Sequence, residues 1–355
     1  MTRCNIDKFS RIVEFIKDLY RKDKVALHEP VFLGNEKKYL CECVDSTYVS
    51  YVGEFVTKFE KIVSEYTKSK YAIATVNGTT ALHIALKAIG VECGDEVITQ
   101  SLTFVATANA IAHCGAFPVF VDVDKDTLGM SLDSLEYFLK ENTIYDTKKK
   151  VYVNKNTKRP IKAVVPVHIF GHPCRIDEIV KIAQGFNLPV IEDSAEALGS
   201  LYKSKHCGTF GLAGVLSFNG NKTITTGGGG MVLTDDENLA GKIRHLSTTA
   251  KISHPWEYIH DEVGYNYRLP NINAALGYAQ MEYIDKVIEN KRETALAYKN
   301  FFKEIGVDFF EELNQARSNY WLNAIIWGDS NEKEEFLSYT NKNSVTTRPI
   351  WRPMH

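Results

Sequence analysis

Val215-Leu216-Ser217-Phe218-Asn219-Gly220-Asn221-Lys222-Thr223-Ile224-Thr225-Thr226-Gly227-Gly228-Gly229-Gly230-Met231-Val232-Leu233-Thr234 is the stretch on which the reading of this chain turns. Val215 to Phe218 reads as a short strand that delivers Lys222 into a polar turn. A glycine run and a second strand, Met231 to Thr234, follow. A lysine held between apolar strands and a glycine turn is poorly placed for bulk solvent. Burial disfavours its ammonium form and leaves a nucleophilic amine, the setting of a Schiff-base lysine. A lysine on a surface hairpin has the same local sequence, so the stretch alone leaves both readings open.

Working outward, strand and helix patterns alternate from Tyr71 to about residue 245. Strands are expected at Tyr71–Val76, Glu96–Thr99, Phe117–Val123, Ile161–Val167 and Leu188–Ile191. Helices are expected at Thr79–Ile89, Phe104–His113, Leu135–Lys140 (started by Ser131 or Asp133) and Ile176–Phe186. The strands are near-continuous apolar runs, the pattern of a sheet covered on both faces. The alternation predicts an α/β fold with a mostly parallel sheet and right-handed crossovers, whose ligands bind beyond the carboxyl ends of the strands.

Residues 9–66 read as short helices with an extended lead-in segment. A long helical pattern, Asn271 to Phe302, is expected to bridge two domains. Strand Tyr320–Trp327 and helix Glu332–Tyr339 then suggest a small α+β domain. The expected division is 1–245 for the N-terminal segment and large domain, and 246–355 for the bridging helix and small C-terminal domain. The sequence stops at Arg352-Pro353-Met354-His355 with no closing helix, which suggests truncation or a disordered tail. Lys148-Lys149-Lys150 to Arg159 reads as a solvated basic hairpin.

The composition sets limits. At 355 residues with 44% hydrophobic and 24% charged content, the chain is of the soluble globular class. A net charge of −2 makes no case for nucleic acid or a membrane surface. No apolar run is long enough to span a bilayer, and Met1-Thr2-Arg3-Cys4-Asn5 lacks the apolar core of a signal peptide. Seven scattered cysteines fit a reduced, cytoplasmic protein. Cys41-x-Cys43 has no second pair to complete a zinc site.

Four segments carry candidate chemistry. Asn77-Gly78-Thr79-Thr80-Ala81-Leu82 follows a strand and opens a helix, where free N–H groups and the helix dipole favour an anion such as a monophosphate. Simple N-capping by Asn77 or Thr79 explains the same residues. Glu192-Asp193-Ser194-Ala195-Glu196 ends a strand, and Asp193 is placed to hold a protonated pyridine nitrogen. A metal held by Glu192, Asp193 and His168 ranks lower, because no histidine has convincing ligand spacing here. Gly171 and Pro173 argue against a helical His168/His172 pair. His168 is either a partner behind Asp193 or a core histidine. Phe104, just past a strand, is either a ring that stacks on a flat ligand or a core residue.

These pieces together resemble the DegT/StrS-type sugar aminotransferases, which use pyridoxal 5′-phosphate on the aspartate-aminotransferase fold, fold type I. The resemblance runs from about Ala26 to His355. It rests on Asn77–Leu82, Glu192–Gly199, Ser217–Gly230 and Gly264-Tyr265-Asn266-Tyr267-Arg268-Leu269 in that order. It implies that Lys222 carries the cofactor covalently, that Asp193 pairs with the pyridine nitrogen and that Glu196 lies near the ring hydroxyl. Phe104 would stack on the ring, and Gly78, Thr79, Thr80 and Ser217 would hold the phosphate. Asn266 would reach the phosphate of a neighbouring subunit, so a homodimer with shared sites is implied. Arg348 and His355 fall in a stretch similar to one near the family's substrate. No metal is implied.

Many members have a glutamate where this chain has Gly228. The four-glycine version and the lead-in Gly34–Phe55 resemble a subgroup that makes legionaminic acid or bacillosamine precursors. The implied reaction takes an amino group from L-glutamate to a nucleotide-linked 4-keto-6-deoxy sugar, with UDP-2-acetamido-2,6-dideoxyhexos-4-ulose as the expected acceptor. Amination of a 3-keto or other nucleotide sugar is the alternative. A sugar 3-dehydratase of the same family is a further reading, but those relatives replace the lysine with histidine. A metal-dependent sugar enzyme and a non-catalytic scaffold complete the competitors.

Overall fold

Apolar residues alternate between two faces along each central strand, and helices cover both faces. In the computed structural model, which describes residues 3–355 with side chains from Asn5 onward, the central strands number seven. They are β1 (Tyr71–Thr75), β2 (Glu96–Gln100), β3 (Phe117–Val121), β4 (Ile161–Val165), β5 (Ile191–Asp193), β6 (Ala213–Ser217) and β7 (Gly230–Thr234). Their spatial order is β1-β7-β6-β5 and β4-β2-β3. Parallel bridges from Val164 to Val190 and from Val167 to Asp193 join the two halves. Only β7 runs against its neighbours, because it returns from the Lys222 turn; the other central pairings are parallel. The mostly parallel α/β sheet expected from the sequence is present.

The two-residue period of a strand explains the core. In β7, Val232 packs with Ile73, Leu82, Val97 and Val215 beneath helices Gly78–Ala88, Val105–His113 and Glu237–Ser247. Its neighbours Met231 and Leu233 turn the other way, to Phe59, Phe218 and Ala274, under helices Glu54–Thr67 and Asn271–Met281. Side-chain caps start several helices where the sequence places them: Asn77, Ser131 and Asp236 each accept a backbone N–H of the first turn. The hairpin expected over Lys148–Arg159 is displaced: Thr143–Asp146 pairs with Val151–Asn154 around an exposed turn at 147–150, and Val153 and Asn154 are buried.

Three expectations are corrected. The bridging helix is two helices, Asn271–Met281 and Ile284–Glu304, because Tyr283 leaves the helical region. Its hydroxyl bonds Glu36, and Glu282 bonds Asn35 and Tyr39, so contacts with the lead-in segment override local propensity. The β5 ladder runs from Ile191 to Asp193 rather than from Leu188, since Pro189 has no N–H to give a ladder. Tyr320–Trp327 is not one strand: only Ile325–Ile326 pairs, with Asp308–Phe309. Helix Arg3–Tyr20 buries Phe9, Ile12 and Ile16 against Tyr298, Phe302 and Phe336, and Val25 bridges Val345. No helix among the described residues is long and apolar enough to cross a membrane.

Candidate active site

Six of the seven central strands run the same way, so their carboxyl ends lie along one edge. Asp193 ends β5 and Ser217 ends β6, while β1 leads to Gly78 and β2 to Phe104. The register sets Ser217 and Thr75 on either side of Gly230, and Val215 beside Asp193. These ends open into a cavity of about 1310 Å³ lined by Gly78, Thr79, Phe104, Asp193, Glu196, Ser217 and Lys222. Phe104 is 52% exposed, so a core role is excluded.

Lys222 is nearly buried, and its Nζ lies 3.2 Å from Glu196 Oε1. The same amine sits 4.0 Å from the centre of the Trp321 ring. The surface-hairpin reading of Lys222 therefore falls. Glu196 is itself enclosed, and its second oxygen accepts the Phe170 amide at 2.8 Å. Burial pushes the Glu196 carboxyl above the usual carboxylate range, with the Lys222 ammonium opposing the shift. Asp193 is fixed by two donors: the Thr107 hydroxyl at 2.7 Å and the Ala195 amide at 3.2 Å.

Whether these residues fit an aromatic phosphate cofactor can be read from the cradle. A Cβ at position 78 would lie 2.9 Å from the Ser217 Cβ, so glycine alone keeps the gap between helix and strand open. Gly78 and Thr79 occupy the first turn, whose N–H groups have no intrahelical acceptor and face an anion by default. The capping reading holds, because Asn77 accepts the Thr80 amide at 2.8 Å, and the cap leaves the Gly78 and Thr79 amides open to an anion. Thr80 turns its hydroxyl to the Asn77 carbonyl at 2.9 Å and does not line the cavity. Fixed carboxylate, buried lysine, anion cradle and exposed aromatic surround one space, and the donor set fits pyridoxal phosphate.

The metal alternative does not survive the geometry. Glu192 accepts the amides of Gly208, Phe210 and Gly211 at 2.6–2.8 Å and contacts His168 Nε2 at 3.0 Å. His168 Nδ1 accepts the Cys174 amide, so Nε2 carries the proton toward Glu192. The pair is fully enclosed and saturated, and it braces the strand end that bears Asp193. His172 is buried between the rings of Phe310 and Tyr320, away from the His168 ring.

Three expected residues lie further out. Arg348 is exposed and lines the cavity, whereas His355 and Asn266 are exposed and do not. The sequence reading missed Thr107, Trp321 and Asn319. Thr107 lies one helical turn beyond Phe104, a spacing that points both along one helix face. Asn319 donates to the carbonyls of Glu196 and Leu198 at 2.8 Å. No local pattern marks that contact.

Residues 33–355 match the DegT/DnrJ/EryC1/StrS aminotransferase family. The GDP-perosamine synthase of Escherichia coli O157:H7 is 41% identical over 331 residues, covering 93% of this chain and 85% of that protein. The EpsN protein of Bacillus subtilis, named as a candidate pyridoxal phosphate-dependent aminotransferase, is 39% identical over 94% of this chain and 82% of its own. Among solved structures, Helicobacter pylori PseC, an aminotransferase of pseudoaminic acid biosynthesis, superposes with a TM-score of 0.83. It is 27% identical, with 93% of this chain and 85% of that chain covered. The chain belongs to the DegT/DnrJ/EryC1/StrS family of pyridoxal phosphate-dependent sugar aminotransferases.

Proposed function

We propose that this chain moves an amino group from L-glutamate to a nucleotide-linked 4-keto-6-deoxy sugar, with pyridoxal phosphate held covalently by Lys222. The observation that carries the reading is the Lys222 amine, enclosed between Glu196 and Trp321 in the cavity that Asp193 and Gly78 also line. When bound, pyridoxal phosphate supplies an electron sink for the electrons left by a departing α-proton. Asp193, aimed by the Thr107 hydroxyl and the Ala195 amide, would hold the protonated ring nitrogen. Glu196, with its carboxyl raised by burial, would lie near the ring hydroxyl and could share a proton with it. The Lys222 amine would act as the base that takes the donor's α-proton and as the acid that gives a proton back. Gly78, Thr79 and Ser217 orient the phosphate.

The working unit in this reading is a homodimer. The strand pair Lys251–Ile252 and Ile259–His260 carries Trp256 at 79% and Tyr258 at 81% exposure, an apolar surface suited to a second copy. Asn266 reaches the partner's phosphate from the far end of that region. Lys222 argues against the dehydratase reading. The names of the relatives favour a GDP-linked acceptor, whereas the four-glycine run favours a UDP-linked one, so the test must span both.

Cofactor-loaded protein is incubated with glutamate and GDP- and UDP-linked 4-keto and 3-keto sugars, and products are read by mass spectrometry. The expected result is one amino sugar with matching 2-oxoglutarate, absent in Lys222→Ala. Borohydride reduction and peptide mapping should place the cofactor on Lys222. A label elsewhere, or wild-type-like amination by Lys222→Ala, would overturn the assignment.

A further inference from the structure

We propose that Trp351, Phe170 and Trp321 form an apolar platform on which one face of the acceptor's sugar ring packs. The inference rests on the sugar-amination reading above and assigns the residues that select the ring. The three side chains line the same cavity as Lys222. Their rings form a continuous arc that starts at Phe104. Centroids lie 5.9 Å apart from Phe104 to Trp351, 5.4 Å from Trp351 to Phe170, and 6.3 Å from Phe170 to Trp321. The arc ends at the Lys222 amine, 4.0 Å from the Trp321 ring. The acceptor carbon must come within proton-transfer reach of that amine, which brings the sugar ring up to this wall.

At Trp321 and Phe170 the wall offers carbon rather than hydrogen-bonding groups. The Trp321 indole N–H is spent on the Asn221 carbonyl at 2.7 Å, and its amide on Asn319 Oδ1 at 2.8 Å. The Phe170 amide is spent on Glu196. An aromatic face carries partial negative charge and favours polarised C–H groups, which a pyranose presents on its faces. Glutamate has two carboxylates and a short methylene chain, and gains little from such a surface. The cofactor's place is at the strand ends, beside Asp193, Gly78 and Ser217.

The backbone is held out of its ordinary region to make this wall. Phe170 has φ of 56°, and Tyr320, just before Trp321, has φ of 45°. Non-glycine residues adopt this region only where their surroundings enforce it, and such strain gathers at ligand sites. Here the enforcement is visible. Ser200 and Ser318 hydroxyls donate to the Gly171 carbonyl at 2.6 and 3.0 Å, and Ser200 accepts the Asn319 amide at 3.0 Å. A Cβ at Gly171 would strike Asn319 at 1.9 Å. The 170 and 320 loops are therefore interlocked. Trp351 arrives on the last segment, which the Met354 amide ties to the Ser101 carbonyl at 2.8 Å.

Half-buried Trp351 is the substitution that spares the interlocked loops, and Trp321→Phe is the second variant. Steady-state constants are measured for glutamate and for GDP- and UDP-linked 4-keto-6-deoxyhexoses. Trp351→Ala should raise the KM of the keto sugar roughly tenfold, the loss expected for part of one aromatic contact. Trp351→Phe should restore most of it, while the KM of glutamate moves much less. Calorimetric titration adds a readout without turnover: Trp351→Ala should weaken the sugar nucleotide relative to bare GDP or UDP. An unchanged sugar KM, or equal losses for sugar and glutamate, would overturn the platform. If the unsubstituted chain converts no keto sugar, the sugar-amination reading fails, which is a different result from an insensitive Trp351→Ala.

Discussion

Gly78→Ala tests the anion cradle at its narrowest point. The new Cβ would stand 2.9 Å from the Ser217 Cβ and 3.2 Å from its Oγ, where ordinary contact begins at 3.4 Å. The Ser217 Cβ cannot swing away, because it is set by a backbone that pairs with Gly230 in the sheet. Helix or strand must therefore yield by about half an ångström, an overpacking that typically costs about 1–3 kcal/mol. Alanine's better helix propensity offsets up to about 1 kcal/mol of that. Stability should fall by no more than about 3 kcal/mol, a shift of several degrees in Tm at most for a chain of this size.

The effect on the ligand is larger. The same displacement moves the first-turn N–H groups off the phosphate, and hydrogen bonds to a charged group are worth about 1.5–3 kcal/mol each. Losing one weakens pyridoxal phosphate binding by roughly ten- to hundredfold. Stripped protein titrated with pyridoxal phosphate gives the Kd, and a thermal melt of the same sample gives the stability. Gly78→Ala combined with Ser217→Gly removes the clash and should recover part of the affinity, though not the part owed to the Ser217 hydroxyl. A Kd within about twofold of the unsubstituted chain, at the affinity scale above, would refute the cradle.

Other predictions follow from burial, symmetry and space. Burial pushes His83, His172 and His206 down to about 4 and His28 to about 3. Unfolded, each binds its proton near 6.5, so between about pH 6.5 and 4 the unfolded chain holds more protons and stability falls as pH drops. Denaturant titrations across that window should show His172→Phe flattening the slope by about 1.4 kcal/mol per pH unit; an unchanged slope would mean His172 is not held neutral. Mixing Lys222→Ala with Asn266→Ala chains should restore activity if Asn266 serves the neighbouring site, because each mixed dimer then has one intact site. No restoration would place Asn266 within its own subunit. Gly228→Glu should fold with little change in Tm, since a Cβ there meets only the Val76 carbonyl at 3.6 Å. A large drop in Tm would show that glycine is required.

What the sequence made legible was whatever lies within one strand-loop unit. Asp193 at a strand end, Gly78 at a helix start and Lys222 after a strand are each specified by a few consecutive residues. The parallel sheet then carries them to one edge without further instruction. Tyr283 shows where that logic stops. Nothing nearby breaks the helix there; the break comes from Glu36, far back in the lead-in segment. Asn319 and Trp321 were missed for the same reason: Asn319 touches Glu196 across 123 positions, and Trp321 reaches Asn221 across 100. No periodicity reports such a contact.

The glycine run separates what the fold demands from what it leaves free. Gly227 has φ of +78°, which favours glycine. A Cβ on Gly229 would fall 2.1 Å from the Thr226 hydroxyl, and one on Gly230 would fall 2.4 Å from the Asn77 backbone. Each of these positions is fixed by this chain's own packing, and Gly230 must be bare for the sheet to approach the loop that leads into the cradle. Gly228 is different, for it has room for a side chain and an ordinary backbone. It is also the one position of the run where the sequence departs from the family pattern. The packing around Gly228 therefore does not demand glycine, and a glutamate there would add a negative charge to the loop that follows Lys222.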